Sequence, residues 1–386
     1  MKKKTLVAIF ALVMGINVLF AQNTSEVLMN SDQKLTIGGY AQIDYNQKFS
    51  SDTRSNGNLD VHRMVLMFGY RFNAKTQFIA EVEYEHVKEV FIEQAFLNYQ
   101  INDWLNFRGG LMLIPMGIIN EYHEPTTFNG VERPNLDSNI APTTWREVGA
   151  GFTGRVQDLN IKYQLYVVNG FNSYDGEGNL KGSNGFRSGR QKGAESFMSS
   201  PNLAAKVDYY GVPGLKLGLS GYFGDTQSTL YDGLDKNDRA AEAKADSSVV
   251  GISMLGADAS YSLKGLVLKG QLYYSSMSNT DKYNDFTGKD LGSAMLGYYL
   301  EAGYDILSAK NSEQKLIPFV RYEKYNTHHK TDGIAENPAY DRTDFTAGLG
   351  WWLTSGAVLK ADLQWFDNEA ASTKTKQFNL GIGIWF

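Results

Sequence analysis

From Lys34 to the last residue the chain alternates between apolar and polar positions with a period of two. In the final stretch Phe378, Leu380, Ile382, Ile384 and Phe386 share one parity. Gln377, Asn379, Gly381 and Gly383 share the other, with Trp385 near the end. Successive side chains of a strand point to opposite faces, so this is a ribbon between two media. The pattern recurs upstream. Leu35, Ile37, Ala41, Ile43 and Tyr45 lie opposite Thr36, Tyr40, Gln42 and Asp44. Phe78, Ala80, Val82 and Tyr84 lie opposite Glu81, Glu83 and Glu85, and Leu359, Ala361, Leu363 and Trp365 lie opposite Lys360, Asp362 and Gln364.

Sixteen strands are predicted. They begin near Lys34, Leu59, Thr76, Glu89, Trp104, Trp145, Leu159 and Pro201, then near Leu215, Val249, Leu266, Ala294, Lys315, Thr343, Ala357 and Thr375. An ionised side chain facing lipid at mid-depth costs about 2–4 kcal/mol, so the charged parity is assigned to the interior. The strands beginning near Glu89, Val249 and Lys315 alternate less cleanly. The last two are apolar on both faces, as if meeting a folded-in loop or a neighbouring subunit.

The connections sort into two sets. Asn73 to Lys75, Asn102-Asp103, Gln157-Asp158, Pro213-Gly214, Lys264-Gly265, Ser308 to Gln314 and Ser355-Gly356 are mostly short. The alternating set is long, except at Val87-Lys88. A soluble sandwich has no reason to sort its loops this way, whereas a transmembrane barrel has short periplasmic turns and longer outer loops. The expected fold is all-β: a transmembrane antiparallel β-barrel of about sixteen strands, 34–386. Its final strand resembles the closing strand of bacterial outer-membrane barrels, which ends in Phe.

Composition narrows this further. Met1 to Ala21 has a basic head, Lys2-Lys3-Lys4, an apolar run and a small residue before Gln22, and reads as a signal peptide, 1–21. A polar lead, 22–33, is expected to be loose and periplasmic. Elsewhere no apolar run reaches the ~20 residues of a membrane helix, which leaves a closed barrel as the way to span lipid. The chain is acidic, with net charge −5, which argues against nucleic acid as a partner. There is no Cys, so disulfides and thiolate metal sites are excluded. Sixteen strands enclose a lumen wide enough for water unless something fills it. About a dozen residues precede the first strand, too few for the plug domain of an active receptor.

The longest stretch without strand character, Leu113 to Thr144, is the third outer loop. It carries Pro115-Met116-Gly117, Glu121-Tyr122-His123-Glu124-Pro125 and Val131-Glu132-Arg133-Pro134. A structureless loop of this length is functional or disordered, and this one is too apolar for disorder. It is expected to fold into the lumen and narrow it. The candidate constriction residues are Arg108, Glu121, Glu124, Arg133, Arg146, Glu147 and Arg155. Two roles stay open for the arginines: guiding ions, or pairing with Glu121, Glu124, Glu132 or Glu147 to pin the loop. The other lumenal charges include Arg63, Arg71, Glu81, Glu83, Glu85, Lys162, Lys206, Lys216, Arg321 and Lys360. Over the whole interior the two signs nearly balance, so selectivity would follow the ring at the constriction.

With its Pro-x-Gly, His-Glu-Pro, Glu-Arg-Pro and Thr-Trp-Arg-Glu-x-Gly-x-Gly elements, Pro318 to Glu323 and the terminal Trp385-Phe386, the chain resembles the phosphate-selective porin O/P family in its Bacteroidetes branch. The resemblance implies a sixteen-stranded, trimeric porin in the outer membrane of a Gram-negative bacterium. Its partners would be membrane lipid and small hydrophilic solutes or ions, phosphate among them. The alternative is a barrel whose loops act as an adhesin or glycan receptor. No catalytic residues, cofactor or metal site are expected. The histidines lack His-Glu-x-x-His spacing, and His328-His329 reads as a solvated pair in an outer loop.

Overall fold

The computed structural model describes residues 24–50, 53–310, 312–371 and 374–386. The expected signal peptide lies outside them. The first strands are β1 (Leu35–Phe49), β2 (Asn58–Arg71), β3 (Thr76–Glu85), β4 (Glu89–Asn102) and β5 (Leu105–Leu113). Next come β6 (Arg146–Val156), β7 (Ile161–Val168), β8 (Asn172–Tyr174), β9 (Asn202–Val212), β10 (Leu215–Asp225) and β11 (Gln227–Ser228). The last are β12 (Gly251–Leu263), β13 (Leu266–Ser278), β14 (Ala294–Tyr304), β15 (Lys315–Lys330), β16 (Asp341–Thr354), β17 (Ala357–Asn368) and β18 (Thr375–Trp385). Sixteen of them close an antiparallel barrel. The short β8 and β11 pair apart from it, as a parallel ribbon within the outer loops. Every predicted barrel strand starts within two residues of an observed one.

The barrel closes where β1 meets β18, in register from Tyr40 opposite Trp385 to Phe49 opposite Lys376. Phe386 extends the seam, its N–H and C=O bonding Gly39 at 2.9 Å each. Parity decides the faces. Leu380, Ile382 and Ile384 are exposed on the lipid side, while Gln377 and Asn379 are buried inside. Ile37, Ile43, Leu359, Val320 and Leu300 belong to the same outer apolar belt.

Two irregularities have local causes. In β4, register with β3 slips between Gln94 opposite Glu81 and Ile92 opposite Val82. Glu93 is the extra residue of this bulge, so Glu93 and Gln94 both point inward and are buried. That is why parity read poorly there. The β3–β4 link is a tight turn with His86 and Val87 both at positive φ, 52° and 67°.

The core lies inside the barrel. Loop residues Ile114, Met116, Leu136, Ile140 and Trp145 pack with Phe171, Leu180 and Phe186 of the next outer loop and with inward Tyr166, Tyr222, Ile252 and Met254. Trp145 stacks on Phe171 with centroids 4.5 Å apart, and Phe171 on Phe186 at 5.3 Å. The apolar inner face of β12 therefore meets folded-in loops. Two expectations need correction. The lead was expected to be loose, but Thr24–Met29 is a helix docked in the lumen. His328 is not solvated: it is buried at the end of β15, with Nε2 at 2.5 Å from the Asp290 carbonyl and Nδ1 accepting from Asn337 N–H.

Candidate functional site

Residues 114–145 cross the lumen. Their base is clamped by buried Asn120, whose amide donates to the carbonyls of Ile114 (2.7 Å) and Trp145 (2.9 Å) and accepts from Trp145 N–H (2.9 Å). Gly117 turns the chain at φ 65°, and a Cβ there would strike Tyr273 and Gln271. The loop can approach β18 because Gly381 and Gly383 present no side chain. A Cβ at Gly381 would lie 2.9 Å from Val131 and one at Gly383 2.9 Å from Pro125.

Charged groups from the wall then fix the loop from all sides. On β9, Lys206 Nζ donates to Glu121 (2.7 Å) and to the Gly117 carbonyl (2.5 Å), and Lys162 stands 3.6 Å from Glu121. Burial would raise the Glu121 carboxyl, but Lys206 and Lys162 hold it well below the usual range. Lys216 lies 3.5 Å from Asp208 and over the Tyr122 ring. On the opposite wall Lys360 donates to the carbonyls of Phe128 and Gly130, and Asp362 accepts from Val131 N–H at 2.6 Å. Glu323 accepts from Leu136 N–H, and Gln271 and Tyr273 donate to Asp137. Arg321, fully buried, sits 2.9 Å from Glu323 and 3.5 Å from Glu301.

At the β3–β4 wall the loop presents His123. Its Nε2 is 3.2 Å from Glu93 and 3.6 Å from Glu81, and Nδ1 is 3.2 Å from the Asn120 carbonyl. Both ring nitrogens face acceptors, as an imidazolium requires. Burial alone would lower its pKa, but Glu81 and Glu93 raise it to about 10. Tyr40 donates to Glu81 at 3.0 Å. Glu81, Glu93 and His123 bring ligand atoms within 4.8 Å of one another, so the same groups are of the kind that hold a divalent cation. Arg63 pairs with Glu83 at 3.2 Å and reaches Glu85 at 4.0 Å.

The sequence candidates therefore divide. Glu121, Lys162, Lys206 and Lys216 come together on one wall, and Arg63, Glu81, Glu83 and Glu85 on another. Arg146 stands 3.6 Å from Glu93. Arg133 donates to the His123 carbonyl and lies over Phe128. Glu124 is buried within the loop. Glu147 is taken by Trp145 Nε1 (2.8 Å), Tyr222 (3.0 Å) and Gly170 N–H (2.9 Å), which makes it a brace between loops rather than a pore charge. Arg71, Arg108 and Arg155 lie nearer the periplasmic mouth, around a 380 Å³ cavity. Sequence reasoning missed Glu93, hidden by the bulge, and Glu26, placed in a lead that was expected to be loose.

No protein-family model matches the chain. It is 31% identical over 346 residues to a protein of Aquifex aeolicus (strain VF5) described as uncharacterized, covering 85% of this chain and 74% of that one. Solved structures similar to it are outer-membrane channels. The outer membrane channel DcaP of Acinetobacter baumannii has a TM-score of 0.61 at 12% identity, covering 91% of this chain and 97% of that chain. An anion-selective porin from Comamonas acidovorans has a TM-score of 0.56 at 13% identity, covering 91% and 99%. Salmonella typhi OmpF, in complex with daunomycin, has 0.52 at 13%, covering 91% and 97%. At these identities the likeness is one of fold.

Proposed function

The chain belongs to one family with the Aquifex aeolicus protein, and from its porin-type barrel we propose that it is an outer-membrane diffusion channel for small hydrophilic solutes. The observation that carries this reading is the third loop, which is anchored across a lumen lined by paired charges. Such a loop narrows the lumen and sets opposed charges around what it leaves, so a crossing solute would be filtered by both size and sign. The wall at Arg63, Arg146, Glu83 and Glu93 and the wall at Lys162, Lys206 and Glu121 are the proposed selectivity elements.

The finer reading is a porin of the phosphate-selective O/P type in a Gram-negative outer membrane, delivered by the signal peptide 1–21. It passes anions such as phosphate, works as a homotrimer and is not an enzyme. The anion-selective Comamonas porin and a trimer form of Vibrio cholerae OmpT support it by analogy of fold. Single-channel recording across a salt gradient tests it. Stepwise conductance with an anion-directed reversal potential is expected. A cation-directed potential would keep the channel and remove phosphate, and correctly folded protein that never conducts would overturn the reading. A second reading, a surface receptor for glycans, is favoured by the packing of Trp145, Phe171, Phe186 and Tyr222 in the lumen, since a receptor needs no open path.

A further inference from the structure

The periplasmic mouth holds an arrangement that diffusion alone does not need. A 380 Å³ cavity there is lined by five cations, Arg71, Lys75, Arg108, Arg155 and Lys162, against two carboxylates, Glu26 and Asp103. Asp103 belongs to the β4–β5 turn. Glu26 is carried in by the segment that precedes β1. Its Oε1 lies 2.5 Å from Lys162 Nζ and its Oε2 3.2 Å from Arg155 Nη2. The rest of the segment offers only uncharged groups to the wall. Arg71 donates to the carbonyls of Met29 (3.2 Å) and Ser31 (2.6 Å), and Gln77 to that of Met29 (2.9 Å). Gln94 donates to Ser25 Oγ at 3.0 Å, and Leu28 packs over Gly69, within 3.2 Å of where a Cβ would stand.

Lys162 links this cradle to the constriction, because it also faces Glu121 at 3.6 Å. A small pocket bounded by Ser25, Glu26, Arg108, Glu121 and Lys162 continues inward from the cavity. The helix thus stands where the vestibule narrows toward the loop. Burial would raise the Glu26 carboxyl, but Lys162 and Arg155 hold it at about 2, so it is ionised at any physiological pH.

We infer that residues 24–33 form a tethered gate: Glu26 occupies a carboxylate-binding cradle built by Lys162 and Arg155, and a small carboxylate solute displaces it and frees the vestibule. Lys162 and Arg155 together hold one carboxylate, and Arg71, Lys75 and Arg108 line the same cavity, so it suits a solute with two or more carboxylates better than a neutral sugar. What the gate controls rests on the channel reading above. The docking of the helix does not.

The absence of cysteine makes the test direct. Ser25→Cys places one thiol, nearly isosteric with the buried serine, on the docked helix. Its labelling by a membrane-impermeant maleimide is followed in the folded mature barrel, alone, with sodium citrate, and with sodium chloride at equal ionic strength to match screening. The same variant is made with Glu26→Gln. Labelling is expected to rise about tenfold with citrate and with Glu26→Gln, but not with chloride. Equal rates in all four conditions would overturn the gate. Currents recorded on Glu26→Gln and on the unsubstituted chain separate the two readings. Faster labelling without current keeps the gate and removes the channel, whereas current with unchanged labelling keeps the channel and removes the gate.

Discussion

Replacing Lys206 with methionine tests how the loop is held. Lys206 is 1% exposed and faces three carboxylates: Glu121 at 2.7 Å, Asp258 at 3.5 Å and Asp208 at 3.7 Å. At an effective dielectric near 20 the shortest of these attractions is roughly 6 kcal/mol, and the two longer ones roughly 4–5 kcal/mol each. Desolvation of the ammonium offsets much of that sum. Methionine keeps most of the volume but leaves three buried carboxylates facing two lysines, Lys162 and Lys216. Breaking a buried pair from one side costs about 3–5 kcal/mol, and that is the expected loss. Adding Glu121→Gln removes the nearest of the three carboxylates, so the double variant should fall short of the sum by about 1.5–3 kcal/mol. Urea unfolding of protein refolded in lipid vesicles, read by tryptophan fluorescence, measures each corner of the cycle. A Lys206→Met loss below about 1 kcal/mol, or strict additivity, would refute the pinning argument.

Gly381→Leu should push Val131 from the β18 wall and enlarge the single-channel step while the barrel keeps its heat-modifiable mobility on gels. His123, raised to about 10, stabilises the loop fully below its ordinary pKa of 6.5 and loses that contribution as pH climbs through about 10. The urea midpoint should therefore fall between pH 6.5 and 10 in the native chain and stay flat in His123→Gln. Val87, exposed and β-branched at φ 67°, is strained, so Val87→Gly should stabilise by about 1 kcal/mol, seen as a higher urea midpoint.

The strands were legible because each must answer to lipid on one side and water or protein on the other, which writes a period of two into the residues. The third loop was legible for a related reason: Ile118-Ile119 and its four prolines are too apolar for a free outer loop. The partners were not legible. Lys206 and Glu121, or Glu93 and His123, meet only because a loop crosses a closed ring, and no local spacing records that. At Glu93 the bulge broke the very rule used to assign faces. Glu26 escaped because a polar dozen residues without periodicity looks the same whether loose or docked, until the cations awaiting it are seen. Glu147 takes a form of the pinning role that was left open for it, but through Trp145 and Tyr222, which sequence spacing does not show.

The loop also spans the place where the ring closes. Near Val131 it bonds to Gln42 on β1 and to Asp362 on β17 and packs against Gly381 on β18. Asn46 on β1 reaches both Glu132 of the loop and Asn379 of β18. The first and last strands are thus held by a common internal former as well as by each other. A barrel insertion machine that released this chain before the loop had turned inward would leave its hem unguided, and a slip of one residue there would turn Leu380 and Ile382 into water. The segment that narrows the passage is therefore also the jig on which the cylinder is sewn shut.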